Sequence, residues 1–362
     1  MTMNSAYIHI PFCKSICSYC DFCKMYYNGA FVTKYLNALI NEIQDRYMGE
    51  KIKTLYIGGG TPSALTTKDL SYLFEIIKKI DLDDDLEFTF ECNLNDINEE
   101  LLLLLKNNRV NRLSIGIESF DENKLKFMER EHTFEDAVMK MNLIRRFGFD
   151  NVNVDFIYGI PGETMKDMKK DLDLLLKLEP DHISTYSLIV EDNTKIGIQG
   201  VVPIPEELDA SMYEYICDKL DSKDFEHYEV SNFAKKGKKS KHNLNYWNNE
   251  EYYGFGLGAS GYIHGVRYDN TRSLTKYVNG EYVKNEEMLS KEDKMYYELM
   301  LGFRKMEGVN LKEFYRKYEV NMQEVYDLKE VLNEEELIVD GEYIYINPQD
   351  IYVMDEILIK FL

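Results

Sequence analysis

The chain is 362 residues long, 44% hydrophobic and 30% charged, an ordinary globular composition that excludes fibrous and disordered classes and leaves room for two or three packed domains. Its 43 basic and 64 acidic side chains leave a formal charge of −21. That field repels phosphate backbones and anionic lipid alike, so nucleic acid is not an expected partner and an anionic ligand needs a local basic pocket.

The opening MTMNSAYIHI has no basic segment followed by an apolar one, and the longest leucine run, Leu101 to Leu105, is far too short to cross a bilayer. The expectation is a cytoplasmic protein. From there, short β-branched or aromatic runs alternate with longer segments of helical period. Strands are predicted at Tyr7–Ile10, Thr54–Ile57, Leu86–Phe90, Arg112–Ile117, Asn151–Ile157 and His182–Leu188, with helices such as Phe31–Tyr47, Lys68–Ile80 and Met165–Leu178 between them. At Thr133 a capping residue with Asp136 three positions on precedes an apolar face of Phe134, Ala137, Val138 and Met141, and Gly148 ends the helix.

Six such units predict an α/β fold with a parallel sheet covered by helices. Period alone leaves open whether the sheet is doubly wound or curls toward a barrel. In both, ligands gather beyond the C-terminal strand ends. Cysteines follow the first predicted strand, Gly58-Gly59-Gly60-Thr61-Pro62 the second, Glu91 the third and Glu118 the fourth, and Asp155 lies near the end of the fifth.

Beyond Pro205 the pattern changes. A helix is predicted at Glu206–Leu220, then glycine-punctuated strands or loops, then helices at Lys291–Phe303, Leu311–Tyr318 and Met322–Leu332, a hairpin at GEYIYIN, and a last helix. Three helices and a small hairpin suggest a winged helix. With 9 basic and 19 acidic residues from Glu286 onward, it is a packing or lid domain rather than a DNA reader.

Cys13, Cys17, Cys20 and Cys23 fall within eleven residues, while Cys92 and Cys217 stand alone. A disulfide framework would spread its cysteines, so the crowding points to metal or redox chemistry. C-x3-C-x2-C gives three thiolates in one loop, enough to hold a four-iron cubane with one iron left open. The competing reading is a structural zinc site with Cys23 as fourth ligand, although zinc knuckles are usually separated by a longer spacer.

YIHIPFCKSICSYCDFC (7–23), IGGGTPS (57–63), RLSIGIESF (112–120), DFIYGIPGET (155–164), HISTYSL (182–188), YEVSNFA (228–234) and HNLNYW (242–247) resemble, in order, the motifs of radical S-adenosylmethionine (SAM) enzymes of the coproporphyrinogen oxidase branch. The resemblance implies a partial parallel (β/α)6 radical-SAM barrel over residues 1–205. An α+β extension carrying HNLNYW would follow at 206–285, and a small winged-helix-like domain at 286–362. It implies that Cys13, Cys17 and Cys20 hold a [4Fe–4S] cluster, with SAM on the fourth iron and Cys23 a bystander. Gly59, Gly60 and Thr61 would meet the SAM amino end. Glu91, Glu118 and Asp155 would serve ribose hydroxyls and the sulfonium, and Arg130 the SAM carboxylate. Tyr7 and Tyr19 would pack beside the cluster and Ile189 near the adenine. Without the resemblance, GGGTP reads as a tight loop, since it lacks the spacing of a phosphate cradle, and each lone carboxylate as a surface or capping charge.

Two departures stand out. Glu118 occupies a position where the family commonly shows Gln, and Cys92-Asn93-Leu94 replaces the usual small residue and Pro after Glu91. Only six residues precede Tyr7, and Phe22 stands where the oxidases carry a further cysteine. These features, with CDFC and HNLNYW, are most similar to the HemW-type heme chaperones. That resemblance implies heme or porphyrin as cargo, a membrane hemoprotein as acceptor, an electron donor for the cluster, and His242 as axial heme ligand. A loop histidine bonded to backbone is the plainer reading of His242. Lys235, Lys236, Lys238, Lys239 and Lys241 could meet propionates or form a solvated turn. His9 reads as a structural residue beneath the cluster. Whether the chain catalyses a reaction stays open. The alternatives are oxygen-independent coproporphyrinogen III oxidase, which decarboxylates two propionates, and a zinc-stabilised binding protein.

Overall fold

The computed structural model describes residues 3–361. Six parallel strands lie side by side in chain order: β1 (Ser5–Ile10), β2 (Ile52–Gly59), β3 (Leu82–Asn93), β4 (Arg112–Glu118), β5 (Val152–Tyr158) and β6 (His182–Ser187). Helices join them, among them Gly29–Arg46, Thr67–Ile77, Glu99–Asn107, Phe134–Arg146 and Met165–Leu176. The helix starts follow their sequence signals. Thr133 and Thr164 each close a capping box, with Asp136 and Asp167 respectively.

Alternation along the strands separates two environments. Ala6, Ile8 and Ile10, Leu55 and Ile57, Phe88 and Phe90, Leu113 and Ile115, and Val152 and Val154 are buried in the main apolar core with the helices. The alternate set is polar: Ser5, Tyr7 and His9, Thr54 and Tyr56, Glu87, Thr89 and Glu91, Arg112, Ser114 and Glu118, Asn153 and Asp155, His182 and Ser184. Burying a polar face requires internal hydrogen bonds. Thr54 donates to Ser5 (2.7 Å), Asn153 to Ser114 (2.8 Å), and His182 Nδ1 meets Asn153 Oδ1 (2.7 Å).

Residues 206–288 extend the same sheet at both edges. Asn232–Ala234 pairs antiparallel with β6 and is followed outward by Glu226–Glu229. Tyr252–Phe255 pairs parallel with β1, and Ser260–Ile263, Val266–Asn270 and Val283–Met288 continue from it antiparallel. The twelve strands end at Val283–Met288 on one side and Glu226–Glu229 on the other, so the sheet is open. The last strand straddles the expected boundary at residue 285.

The C-terminal part has helices Lys291–Gly302 and Leu311–Tyr318 and a hairpin, Leu337–Asp340 with Tyr343–Ile346, extended by Val309–Asn310. The expected helix Met322–Leu332 is two short ones, Met322–Val325 and Lys329–Asn333, because the backbone is extended at Tyr326. No helix among the described residues is long and apolar enough to cross a membrane.

Candidate functional site

The cysteine loop leaves the C-terminal end of β1 and is closed by a two-residue parallel pairing, Phe12 to Met25 and Cys13 to Tyr26. Within it the four thiols separate. Cys13 is buried and its sulfur accepts a 3.4 Å bond from Thr61 Oγ1. Cys17 receives Arg130 Nη1 at 3.5 Å. Cys17 and Cys20 are partly exposed. Cys23 sits apart: its sulfur lies against Gly258, and burial raises its thiol pKa against the pull of Arg272. A single zinc ion would gather four sulfurs within roughly 4 Å of each other, given Zn–S bonds near 2.3 Å. Among the described residues no group of three His, Cys, Asp or Glu side chains is arranged to hold a single metal ion. A cubane instead takes each thiolate on a different iron, a donor set that Cys13, Cys17 and Cys20 fit without Cys23. Burial pushes the Cys13 thiol up to about 11.

The glycines at the end of β2 each face a different neighbour. A Cβ on Gly58 would lie 2.7 Å from the Glu91 carboxylate, one on Gly59 2.6 Å from the His9 ring, and one on Gly60 2.9 Å from the Cys13 sulfur. Gly59 also has φ +118°, a conformation that L side chains rarely adopt. The backbone therefore lies directly against the cysteine loop and the carboxylate beside it. Gly60 N–H donates to Ile10 O and Thr61 N–H to Phe12 O, both at 2.9 Å.

Three carboxylates converge on the inner face. Glu91 accepts from Tyr56 O–H (2.7 Å) and Gly59 N–H (3.0 Å), and burial raises its pKa to about 7. Asp155, bonded to Asn153 at 2.9 Å, is raised by the same desolvation. Glu118 follows a β-bulge between Gly116 and Glu118 and has φ +65°. Bulges beside functional sites re-aim side chains, and here Oε1 reaches Tyr19 O–H (3.0 Å) and Arg130 (3.2 Å). Burial lifts Glu118 to about 7 against the pull of Arg130. Among the described residues, Glu118 Oε2 and Arg130 Nε are buried with no hydrogen-bond partner. A ligand carrying both a cation and a carboxylate would satisfy both, so this donor set fits SAM. Tyr19 packs into a second apolar cluster with Leu125, Met128, Ile157 and Leu188. Ile189 is exposed just past the rim.

A cavity of about 620 Å³ opens beside the cysteine loop, lined by Tyr7, His9, Glu91, Tyr246, Phe22 and Arg272 among others. His9 is a fixed wall: Nε2 bonds the Cys23 carbonyl (2.7 Å) and Nδ1 the Tyr7 hydroxyl (2.9 Å). The sequence reading missed Tyr56, Arg112 and Tyr246; the signal for the first two was their place in the period-2 polar face.

His242 lies at the other end of the sheet. Its helix, Lys241–Trp247, takes Glu87 as acceptor for two backbone N–H groups (2.9 and 3.0 Å), and its ring bonds Thr54 Oγ1 (2.9 Å) and Tyr246 O–H (2.8 Å). The ring is 1% exposed and burial depresses its pKa to about 3. Of the five lysines, Lys238, Lys239 and Lys241 pair with Asp150, Glu226 and Asp85, at the N-terminal side of the strands.

Residues 7–175 match the Radical SAM superfamily and residues 289–353 the HemN C-terminal domain. The heme chaperone HemW of Lactococcus lactis is 40% identical over 369 residues, covering 99% of this chain and 97% of the relative. The HemW protein of Bacillus subtilis is 38% identical, covering 99% of both chains. Coproporphyrinogen III oxidase (HemN) of Escherichia coli shares the fold, with TM-score 0.88 at 19% identity, over 99% of this chain and 90% of the other.

Proposed function

The chain belongs to the HemW heme chaperone family, a group built on the radical SAM fold, and on that premise we propose that it binds heme and delivers it to a hemoprotein, with a [4Fe–4S] cluster and SAM as resident cofactors. The observation that carries this reading is the near full-length 40% identity to a heme chaperone. The likeness to the oxidase is one of fold alone.

Cys13, Cys17 and Cys20 would hold the cluster, and Thr61 and Arg130 donate to two of their sulfurs. Hydrogen bonds to the ligating sulfurs tune a cluster's potential. Arg130 would take the SAM carboxylate, Gly59, Gly60 and Thr61 would meet its amino end, and Glu91, Glu118 and Asp155 would face the cation from the inner face. When bound, the cofactors supply the capacity to cleave a sulfonium reductively and form a carbon radical. The cluster would draw its electron from an external donor, and the heme acceptor would be a membrane hemoprotein served from the cytoplasm.

His242 is the axial ligand we assign. Its Nε2 meets the Tyr246 hydroxyl rather than backbone, and the ring lies between Tyr56 and Tyr246, so heme binding there would require helix Lys241–Trp247 to move off the strands. Titration of heme into wild type, His242→Ala and Tyr246→Phe tests this. Affinity lost in His242→Ala and kept or raised in Tyr246→Phe supports the assignment, and equal affinity in all three removes it. Formation of protoporphyrinogen from coproporphyrinogen would replace the chaperone reading with the oxidase one.

A further inference from the structure

The inner face carries an imbalance of charge that no side chain resolves. Glu91, Glu118 and Asp155 converge there, against two cations, Arg112 and Arg130. Arg130 is divided among several acceptors: Nη1 lies 3.2 Å from Glu118 Oε1 and 3.5 Å from the Cys17 sulfur, and Nη2 donates to the Gly116 carbonyl. Glu118 Oε2 is left buried with no partner.

This atom is held in place. The bulge and the left-handed backbone at Glu118 set its side chain over Gly116, where a Cβ would come 2.9 Å from the carboxylate. Gly116 pairs across the sheet with Asp155, so the free oxygen lies on the inner face near a second carboxylate. The next residue is anchored as well: Ser119 Oγ donates to Asp171 (2.5 Å), and the buried Lys124 is ion-paired to both Asp171 and Glu163. A buried carboxylate oxygen without a hydrogen bond is costly unless a cation or donor reaches it.

We infer that Glu118 is a specificity-determining residue: its unpartnered oxygen makes the cofactor site select a ligand with a positive centre, the sulfonium of SAM, over the neutral thioether left when that charge is gone. The inference rests on the SAM reading above and deepens it. A Gln at this position keeps a hydrogen-bonding side chain of the same shape but removes the charge, and with it the preference.

The test is isothermal titration of anaerobically reconstituted, iron-loaded protein at pH 8 with SAM, S-adenosylhomocysteine and sinefungin, which carries an ammonium group where SAM has sulfonium. Wild type should bind SAM and sinefungin more tightly than S-adenosylhomocysteine. In Glu118→Gln the preference for SAM over S-adenosylhomocysteine, read as the ratio of their affinities, should fall roughly ten- to hundred-fold, the range for removing one charge from a partly desolvated pair. An unchanged ratio, or equal weakening of both ligands, overturns the inference and leaves the SAM reading standing. Sinefungin binding no better than S-adenosylhomocysteine in wild type overturns it without recourse to the variant. Failure of wild type to bind any of the three overturns the SAM reading itself.

Discussion

Gly60→Ala perturbs the contact between β2 and the cysteine loop at one atom. The added Cβ would stand 2.9 Å from the Cys13 sulfur, 2.9 Å from the Pro11 carbonyl carbon and 3.0 Å from Ile10 O. Two of these three are backbone atoms and cannot rotate aside. Relief means prising the end of β1 from the end of β2, which stretches the 2.9 Å bond from Gly60 N–H to Ile10 O. Overpacking of this kind costs about 1–3 kcal/mol, and a weakened backbone hydrogen bond adds about 1 kcal/mol. The expected loss is therefore about 2–4 kcal/mol, concentrated where Cys13 is positioned. Thermal unfolding and iron content after anaerobic reconstitution should both fall. Gly29→Ala is the control: its Cβ meets only Tyr27 Oη, at 3.7 Å, at the start of helix Gly29–Arg46, and it should be neutral or stabilise by about 0.4–1 kcal/mol. A Gly60→Ala protein with wild-type iron and a melting temperature equal to that control would refute the reasoning.

Two further outcomes follow from buried charge. His242 is held neutral by burial, its pKa lowered to about 3, while an unfolded histidine titrates near 6.5. The unfolded state thus binds the extra proton below pH 6.5, and this contribution to stability is present above that pH and lost as pH falls toward 3. The stability gap between wild type and His242→Asn should narrow by about 1.4 kcal/mol from pH 7.5 to 5.5; parallel urea-denaturation curves at the two pH values would contradict it. Lys124→Met leaves Glu163 and Asp171 buried without their cation and should destabilise by about 3–5 kcal/mol, read from the urea midpoint, with Lys124→Arg recovering part of the loss.

The six parallel strands were legible because each alternates an apolar side with a polar one, and the rim residues because they fall at strand ends. Strand limits were less so. β3 runs from Leu82 to Asn93 rather than Leu86 to Phe90, since Leu82 pairs with Ile52 across an irregular stretch that holds the acidic Asp83-Asp84-Asp85, and pairing with β4 carries it past Glu91. The environment of Cys23 depends on Gly258, 235 residues away, a contact that no local spacing encodes. Glu118 takes a left-handed backbone without any glycine to announce it. The placement of His242 was hidden for a topological reason: its helix binds Glu87 and Thr54 at the strands' N-terminal side, a route set by strands beyond β6.

The missing closure of the sheet leaves two borders that are protected in different ways. Among the described residues no ladder joins Val283–Met288 to Glu226–Glu229; the outer side of Glu226–Glu229 is instead stitched to the C-terminal part, by an antiparallel bridge from Glu229 to Lys305 and by bonds from Met306 N–H to Tyr228 O (3.1 Å) and from Val230 N–H to Arg304 O (2.9 Å). One margin bears Lys284, Glu286 and Glu287, all exposed, charges that discourage a second molecule from annealing there. One border of the sheet is thus guarded by charge and the other is capped by the chain's own C-terminal part.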